Sequence, residues 1–301
     1  MNTPLITVFT PTKDRRPFLR RLYQSIQQQD YENFEWIIVD DGSNDGTRDE
    51  VGAFVVDARF PIRYFYQENA GKHIAINKGV TLAQGLLFFI VDSDDVLVEH
   101  ALSTVVAQWE SVLSRPDREE FAGVCGLRMY SNGSVIGGEV DYQLLDVSAV
   151  DYRFKLGYKG DRAEVIRTDI MKQYTYPHFA GERFCADALV WNRIAKSYRL
   201  RFFNDRIYVC EYLPGGITDT SVRLRRYSPQ GACLYYTEMA ALPGLTIIQR
   251  IKAVINFWRF ARYDKKRGWR NKWRQVNSWW SVIGWPIGYL VSILDNSRGR
   301  K

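Results

Sequence analysis

LLFFIVDSDD, residues 86–95, decides how the rest of the chain is read. Its first six residues are aliphatic or aromatic, which fits a strand covered on both faces. Such strands belong to α/β sheets, whose ligands bind in the crevice beyond the carboxyl ends of the strands. This strand runs into Asp92, Ser93, Asp94 and Asp95. Three carboxylates there repel one another unless positive charge sits among them. They point to a divalent cation with hard oxygen ligands, Mg2+ or Mn2+. The plainer alternative is an Asp-rich turn that caps a helix.

Upstream, LITVFTPTKD (5–14) opens with a β-branched strand, and Pro11 is expected to stop its pairing. Pro17 suits the first turn of a helix in which Phe18, Leu19, Leu22 and Ile26 recur at helical spacing. FEWIIVDDGSNDGT (34–47) gives a second buried strand, the turn Asp40-Asp41-Gly42-Ser43 and a helix start at Asn44 or Asp45. IRYFYQ (62–67) is a third strand, and a helical run follows over 73–83. This β-α-β-α-β-α-β order predicts a parallel, doubly wound sheet with right-handed crossovers. It brings Thr10, Asp40, Gly71 and Asp92 to one edge. The edge has no G-x-G-x-x-G and no G-x-x-x-x-G-K-[ST]. Asp40 or Asp41 can accept hydrogen bonds from a base or ribose, Lys13 and Lys72 can meet phosphate, and Asp94 can reach phosphate through a metal. An ordinary turn is the alternative for residues 40–43.

Downstream, Leu102, Val105, Val106 and Trp109 mark an amphipathic helix, FAGVCGL (121–127) a strand, and Gly133, Gly137 and Gly138 turns. Residues 140–160 have no clear period and read as irregular surface or an acceptor-facing loop. AEVIR (163–167) is a strand, and Thr168 can cap a helix after it. After a loop over 177–183, a helix is expected from Cys185 or Ala186, with Asp187 in its first turn, where the helix dipole favours an acid. LRFFNDRIYVCEYLPGGIT (200–218) gives two strand-like pieces and a Pro-Gly-Gly turn. Thr218, Thr220 and Ser221 then precede Arg223, Arg225 and Arg226 as a mobile loop or a solvated basic turn.

The charge is unevenly placed. The net is +7, yet residues 245–301 alone hold thirteen Lys/Arg against two Asp/Glu. A mildly acidic body therefore carries a strongly basic tail. The tail has helical period, with Leu245, Ile248, Ile251, Ile255 and Trp258 on one face. It ends in WWSVIGWPIGYLVSIL (279–294), broken by Pro286 and short of the roughly 20 apolar residues that span a bilayer. Trp and Tyr beside Lys and Arg fit a segment lying in a membrane interface, rather than one that binds nucleic acid. A homodimer contact is the remaining alternative. The four cysteines and three histidines show no zinc spacing, and isolated cysteines suit a reducing compartment. The first residues lack the order of a signal peptide, so a cytoplasmic protein is expected.

Together VFTPTKD, IIVDDGSNDGT, NAGKHIAINKG and FFIVDSDD, in this order, closely resemble the N-terminal half of glycosyltransferase family 2, inverting nucleotide-sugar enzymes of GT-A fold. The resemblance covers residues 5–98. It implies that Thr10, Pro11, Thr12 and Asp40 hold uridine. It further implies that Asp92, Ser93 and Asp94 form the Asp-x-Asp site, with Asp94 on the metal. Asp14 and Asn77 fall in the first and third motifs and join the nucleotide-binding set. Many relatives carry Arg before that Asn; here the position is Ile76, and Lys72 is the replacement cation. Family members place an acidic base at the start of the later helix, which implies Asp187, with Glu182 in reserve.

The expectation is thus a GT-A catalytic domain over 1–222, with a nucleotide half to residue 98 and an acceptor half from 99, and a helical tail over 223–301. Its sheet should be mostly parallel. It should transfer a sugar from a UDP-sugar, with Mn2+ or Mg2+, to a glycan or lipid-linked acceptor at the inner face of the cell membrane. The rivals are a glycoside hydrolase, which needs no uridine pocket, and a non-catalytic sugar- or lipid-binding module.

Overall fold

The computed structural model describes residues 4–211, 216–276 and 278–298, apart from the side chains of 217, 218, 278 and 296–298. The chain forms two compact units: Met1–Thr175 with Arg193–Tyr212, and Tyr176–Asn192 with Leu213–Lys301.

The first unit begins β1 (Ile6–Thr12), α1 (Arg16–Gln27), β2 (Phe34–Asp40), α2 (Thr47–Asp57), β3 (Ile62–Tyr66), α3 (Lys72–Leu82) and β4 (Leu87–Ile90). These four strands are parallel, in the order β3-β2-β1-β4. Pro11 does not end β1. Pairing with β2 continues through Pro11 to Thr12, whereas pairing with β4 stops at Phe9. Phe9 accepts from Val91 N on the β4 side and Thr12 accepts from Asp41 N on the β2 side. By alternation Pro11 faces β4, beyond the end of its pairing, where its missing N–H leaves no bond unmade. Helix α2 starts at Thr47, later than expected, because Asp45 Oδ1 takes both the Thr47 N–H and its hydroxyl.

Next come β5 (Val96–Leu97), α4 (Ala101–Leu113), β6 (Phe121–Tyr130), β7 (Leu144–Val147), β8 (Arg162–Arg167), α5 (Thr168–Gln173) and β9 (Arg199–Cys210). The sheet extends β4-β8-β6-β9-β5, and β7 also pairs with β9. Strand β8 is antiparallel to both β4 and β6, while β6 and β9 are parallel. The sheet is therefore mixed rather than mostly parallel. No α-helix crosses back between β6 and β8 among the described residues, and without a crossover a returning strand runs antiparallel.

One face of the sheet carries α1 and α4. Leu19, Leu22, Tyr23 and Ile26 pack there with Leu102, Val105 and Trp109 against Val8, Trp36 and Phe89. Each such aliphatic side chain contributes about 1.5–3 kcal/mol by burial. On β1, Phe9 meets α3 at Gly79, where a Cβ would lie 2.1 Å from the ring.

Other local expectations change. Residues 140–160 are not irregular surface throughout. Strand β7 pairs with β9, and Tyr152 stacks on Phe202 at 3.9 Å while its hydroxyl accepts from Arg162 Nε. Such long-range partners leave no local period. The two strand pieces at 200–210 are one strand, β9, with register shifts against β6. Thr168 does not cap α5, because its hydroxyl donates to Gly85 O at 2.6 Å.

The second unit holds α6 (Ala188–Ile194), whose last residues fall in the first unit, α7 (Ile217–Tyr227), α8 (Pro229–Ala240), α9 (Ile247–Ala261), α10 (Trp269–Gln275) and α11 (Ser278–Arg298). Thr246 and Gln249 form a capping box on α9. The expected α9 face is wrong in part: Ile248 is 66% exposed, and Val254, Phe257, Phe260 and Ala261 are buried with Trp258. Helix α9 packs on both α8 and α11, so its buried surface is wider than one stripe. Pro286 does not break α11. It lies on an exposed side, as does Val282, whose carbonyl loses its partner. Among the described residues no helix is long and apolar enough to cross a membrane. Of the Pro-Gly-Gly turn, Pro214 and Gly215 lie outside the described residues, as does the side chain of Thr218.

Candidate active site

In the first unit, strand ends bring the motif residues to one edge. Trp36 Nε1 donates to Thr10 Oγ1 at 2.9 Å, which fixes β1 against β2. Pro11 and Thr12 are buried beside it, and Thr12 Oγ1 has no partner among the described residues. A buried hydroxyl without a partner is costly, and a polar ligand would relieve it. Asp14 ties the ends of β1 and β2 together. Its N–H donates to Ser43 Oγ, and its Oδ1 accepts from Asn44 N at 2.9 Å. It does so at φ 51°, a left-handed backbone that Asp tolerates better than most residues. The Lys13 hydrogen bond and the Asn44 amide hold its carboxyl below the usual range.

The two acids after β2 do different work. Asp40 is 1% exposed; its oxygens accept from Ser43 N at 2.7 Å and Tyr64 Oη at 2.6 Å. A base or ribose donor would share those oxygens, each of which has a second lone pair. Asp41 accepts from Gln67 Nε2, Ala70 N and Gly71 N, each at 2.8 Å. Asp41 thus shapes the loop that leads into α3, where Gly71 adopts φ +100°. From that helix Lys72 reaches Asp92, Nζ to Oδ1 2.7 Å. Asn77 lies one turn further on, half-buried. Ile76 is a core residue.

At the end of β4 the acids separate electrostatically. Burial pushes Asp92 up, but Lys72 and Arg128 outweigh it and the net shift is down. Asp94 is raised by burial and by Asp92. Asp95 is pushed up to about 7 by burial and Asp92, although Glu211 N donates to it at 3.0 Å and Tyr208 hydrogen-bonds it. Ser93 is buried between them. Among the described residues no three His, Cys, Asp or Glu converge as a ready metal cage. The donor set still fits Mg2+ or Mn2+, which are often held by one or two carboxylates plus substrate phosphates. Asp94 and Asp95 are both carboxylates whose charge a cation would relieve, and Asp95 is already engaged by Glu211 N and Tyr208.

Two supporting residues left no motif. Tyr208 Oη accepts from Asp92 N at 2.9 Å, and Arg128 lies over the Tyr208 ring at 4.1 Å. Both come from strands distant in sequence, where a lone Tyr or Arg carries no signal.

In the second unit, Asp187 is exposed and immediately precedes α6, its carbonyl accepting from Val190 N at 3.2 Å. The helix begins later than expected: residues 182–186 form no regular structure and Asp187 lies in a turn. Glu182 is buried and already engaged. One oxygen accepts from Gln230 N and Nε2, the other from Gly231 N, at the first turn of α8. That is a capping carboxylate favoured by the helix dipole. Of the hydroxyl cluster, Thr220 Oγ1 donates to the carbonyl of Gly216, which precedes α7.

Comparison with known proteins agrees with this layout. The model of glycosyl transferase family 2 matches residues 7–161. The glycosyltransferase GlyG of Streptococcus pneumoniae is 29% identical over 231 residues, 73% of this chain and 75% of that protein. A GalNAc(5)-diNAcBac-PP-undecaprenol beta-1,3-glucosyltransferase of Campylobacter jejuni is 35% identical over 105 residues, 34% of each chain. S. aureus TarS 1-349 in complex with UDP-GlcNAc superposes with TM-score 0.58 at 16% identity, covering 98% of this chain and 92% of that one. The mannosyltransferase PcManGT from Pyrobaculum calidifontis, in complex with GDP-Man and Mn2+, gives 0.57 at 16% identity, covering 98% and 88%. The chain belongs to glycosyl transferase family 2, with an α/β GT-A-like fold, and is a glycosyltransferase. The hydrolase and non-catalytic readings are set aside.

Proposed function

We propose that this glycosyltransferase inverts configuration as it moves a sugar from a UDP-sugar to a hydroxyl of a lipid-linked or cell-surface polysaccharide intermediate. The observation that carries the reading is the acid edge: Lys72 pairs with Asp92, the charges of Asp94 and Asp95 are disfavoured, and Thr12 Oγ1 lacks a partner among the described residues. Such an edge suits a diphosphate that arrives with a cation. Uridine rests on the Thr10–Thr12 segment and Asp40, since a fold shared with a UDP-GlcNAc complex and a GDP-Man complex favours neither base. The acceptor class follows the Campylobacter relative, whose name gives a diphospho-undecaprenol acceptor.

Asp94 would hold Mg2+ or Mn2+, which offsets negative charge gathering on the diphosphate. Lys72 lies close enough to that edge to pair with Asp92 and is the side chain to meet the phosphates. Asp187 accepts the proton of the acceptor hydroxyl. As the acceptor oxygen bonds to the anomeric carbon, the bond from that carbon to the diphosphate oxygen breaks on the opposite side. Both of its electrons leave with UDP, and Asp187 returns its proton to solvent. The basic aromatic tail keeps the enzyme on the inner face of the cell membrane, close to such acceptors.

Asp187→Asn tests the base. Turnover is expected to fall about 10²–10⁴-fold with UDP affinity and melting temperature unchanged. Undiminished transfer by a folded variant would remove Asp187 from the mechanism.

A further inference from the structure

Helix α11 is packed inside out. Its buried positions are small: Ser281, Gly284, Gly288 and Ser292 recur every three or four residues and face α9. A Cβ on Gly284 would lie 2.7 Å from Val254 Cγ1, and one on Gly288 only 2.4 Å from Ile255 O. The two backbones therefore nearly touch. The large residues point the other way, with Trp279 84%, Val282 61% and Leu290 60% exposed, and Ile283, Ile293 and Leu294 beside them. No charged residue occurs between Arg274 and Asp295. A helix whose outer face meets water carries the opposite pattern, and an apolar patch of this extent marks an interaction surface.

Charge identifies the occupant. Trp269, Arg270, Trp273 and Arg274 of α10 line a hollow of about 510 Å³ with Trp285 of α11. Guanidinium groups and indoles at the margin of an apolar face are the composition of a membrane interface. Both acids of the tail are used internally. Asp264 is buried and accepts from Lys266 N and Arg267 N, and Asp295 takes Arg259 at 2.6 and 2.9 Å. Neither acid of the tail is thus engaged with Arg270 or Arg274. A second copy of the chain would bring the same arginines to the contact, whereas anionic lipid complements them. Among the described residues no helix is both long and apolar enough to cross a membrane, and the inner face of α11 is taken by α9.

We propose that the outer face of α11, with Arg270 and Arg274, docks in the plane of an anionic phospholipid surface: acyl chains receive Val282, Ile283 and Leu290, and lipid phosphates meet the two arginines. This names the contact and lipid class within the membrane reading above. The rest of the tail is support, since α9 spends its aromatic residues on internal packing.

The test is flotation of the full chain with vesicles of phosphatidylglycerol and phosphatidylcholine in equal parts, against phosphatidylcholine alone, with UDP binding measured on the same preparations. The wild type is expected to float with the anionic vesicles and to be released by salt. Arg270→Gln with Arg274→Gln should weaken that partition roughly 30-fold, at about a tenfold loss per 1.4 kcal/mol and about 1 kcal/mol per basic residue. Val282→Ser with Leu290→Ser should abolish flotation at unchanged melting temperature, and wild-type Trp fluorescence should shift blue on vesicles. No flotation by a folded wild type, flotation indifferent to both pairs of substitutions, or a stable dimer that ignores vesicles would overturn the docking. In each case intact UDP binding leaves the transferase reading standing; loss of UDP binding with normal flotation would strike the transferase reading alone.

Discussion

Helices α1 and α11 obey the same packing rule with opposite results. Helix α1 buries Leu19, Leu22, Tyr23 and Ile26 and turns Arg20, Arg21 and Gln24 outward. Helix α11 buries two serines and two glycines and turns Trp279, Val282 and Leu290 outward. In the first, apolar area leaves water and the helix is held by that burial. In the second, close backbone contact replaces large inward side chains, and the large apolar side chains stay exposed. The direction in which the large residues point, not how many there are, tells what each helix faces.

The largest expected effect sharpens that contrast. Leu22→Ala removes a fully buried side chain of the main core and should cost about 2–5 kcal/mol in denaturant unfolding. Gly288→Leu comes next, because its Cβ would run into Ile255 O. A cost of about 1–3 kcal/mol, read from the tail's unfolding or proteolysis, is expected from such overpacking. Leu290→Ala, at an exposed site of the same helix, should change stability by no more than about 0.5 kcal/mol. Similar costs for Leu22→Ala and Leu290→Ala would break the comparison.

The smallest effect lies on the rim of the first unit. Exposed His100 Nδ1 meets Asp30 Oδ2 at 2.7 Å, and that hydrogen bond raises the imidazole above its usual range. A raised His contributes stability that is fully present below its unfolded pKa and lost as pH rises through the folded one. His100→Gln should therefore lower the melting temperature slightly at acidic pH and leave it unchanged in alkaline buffer. A difference that grows with pH would contradict the pairing.

How much was legible follows from how local each signal is. The first four strands and the residues after them were readable because each motif is a strand followed at once by its acids or loop. Lys72 was readable as a cation near the acids, and its pairing with Asp92 agrees. Asp40 and Asp41 were alike in sequence; only the geometry separates a buried acceptor from the clamp on the loop before α3. Tyr208 and Arg128 were invisible because they arrive from strands whose pairing is long-range. The antiparallel β8 escaped for the same reason. Glu182 looked like a reserve base until its oxygens proved to be spent on the N-terminus of α8. Helix α11 was readable as apolar, but not as continuous through Pro286, since the stranded carbonyl is tolerated only on an outer side.

The central claim is a cation-assisted UDP site at the acid edge, and calorimetric titration of UDP with and without Mn2+ on wild type and Asp94→Ala tests it most directly. The account predicts wild-type binding that strengthens with Mn2+ and a variant in which that strengthening is lost while the fold is kept. Absence of UDP binding by the folded wild type under either condition, or an Mn2+ effect that survives Asp94→Ala, would contradict it.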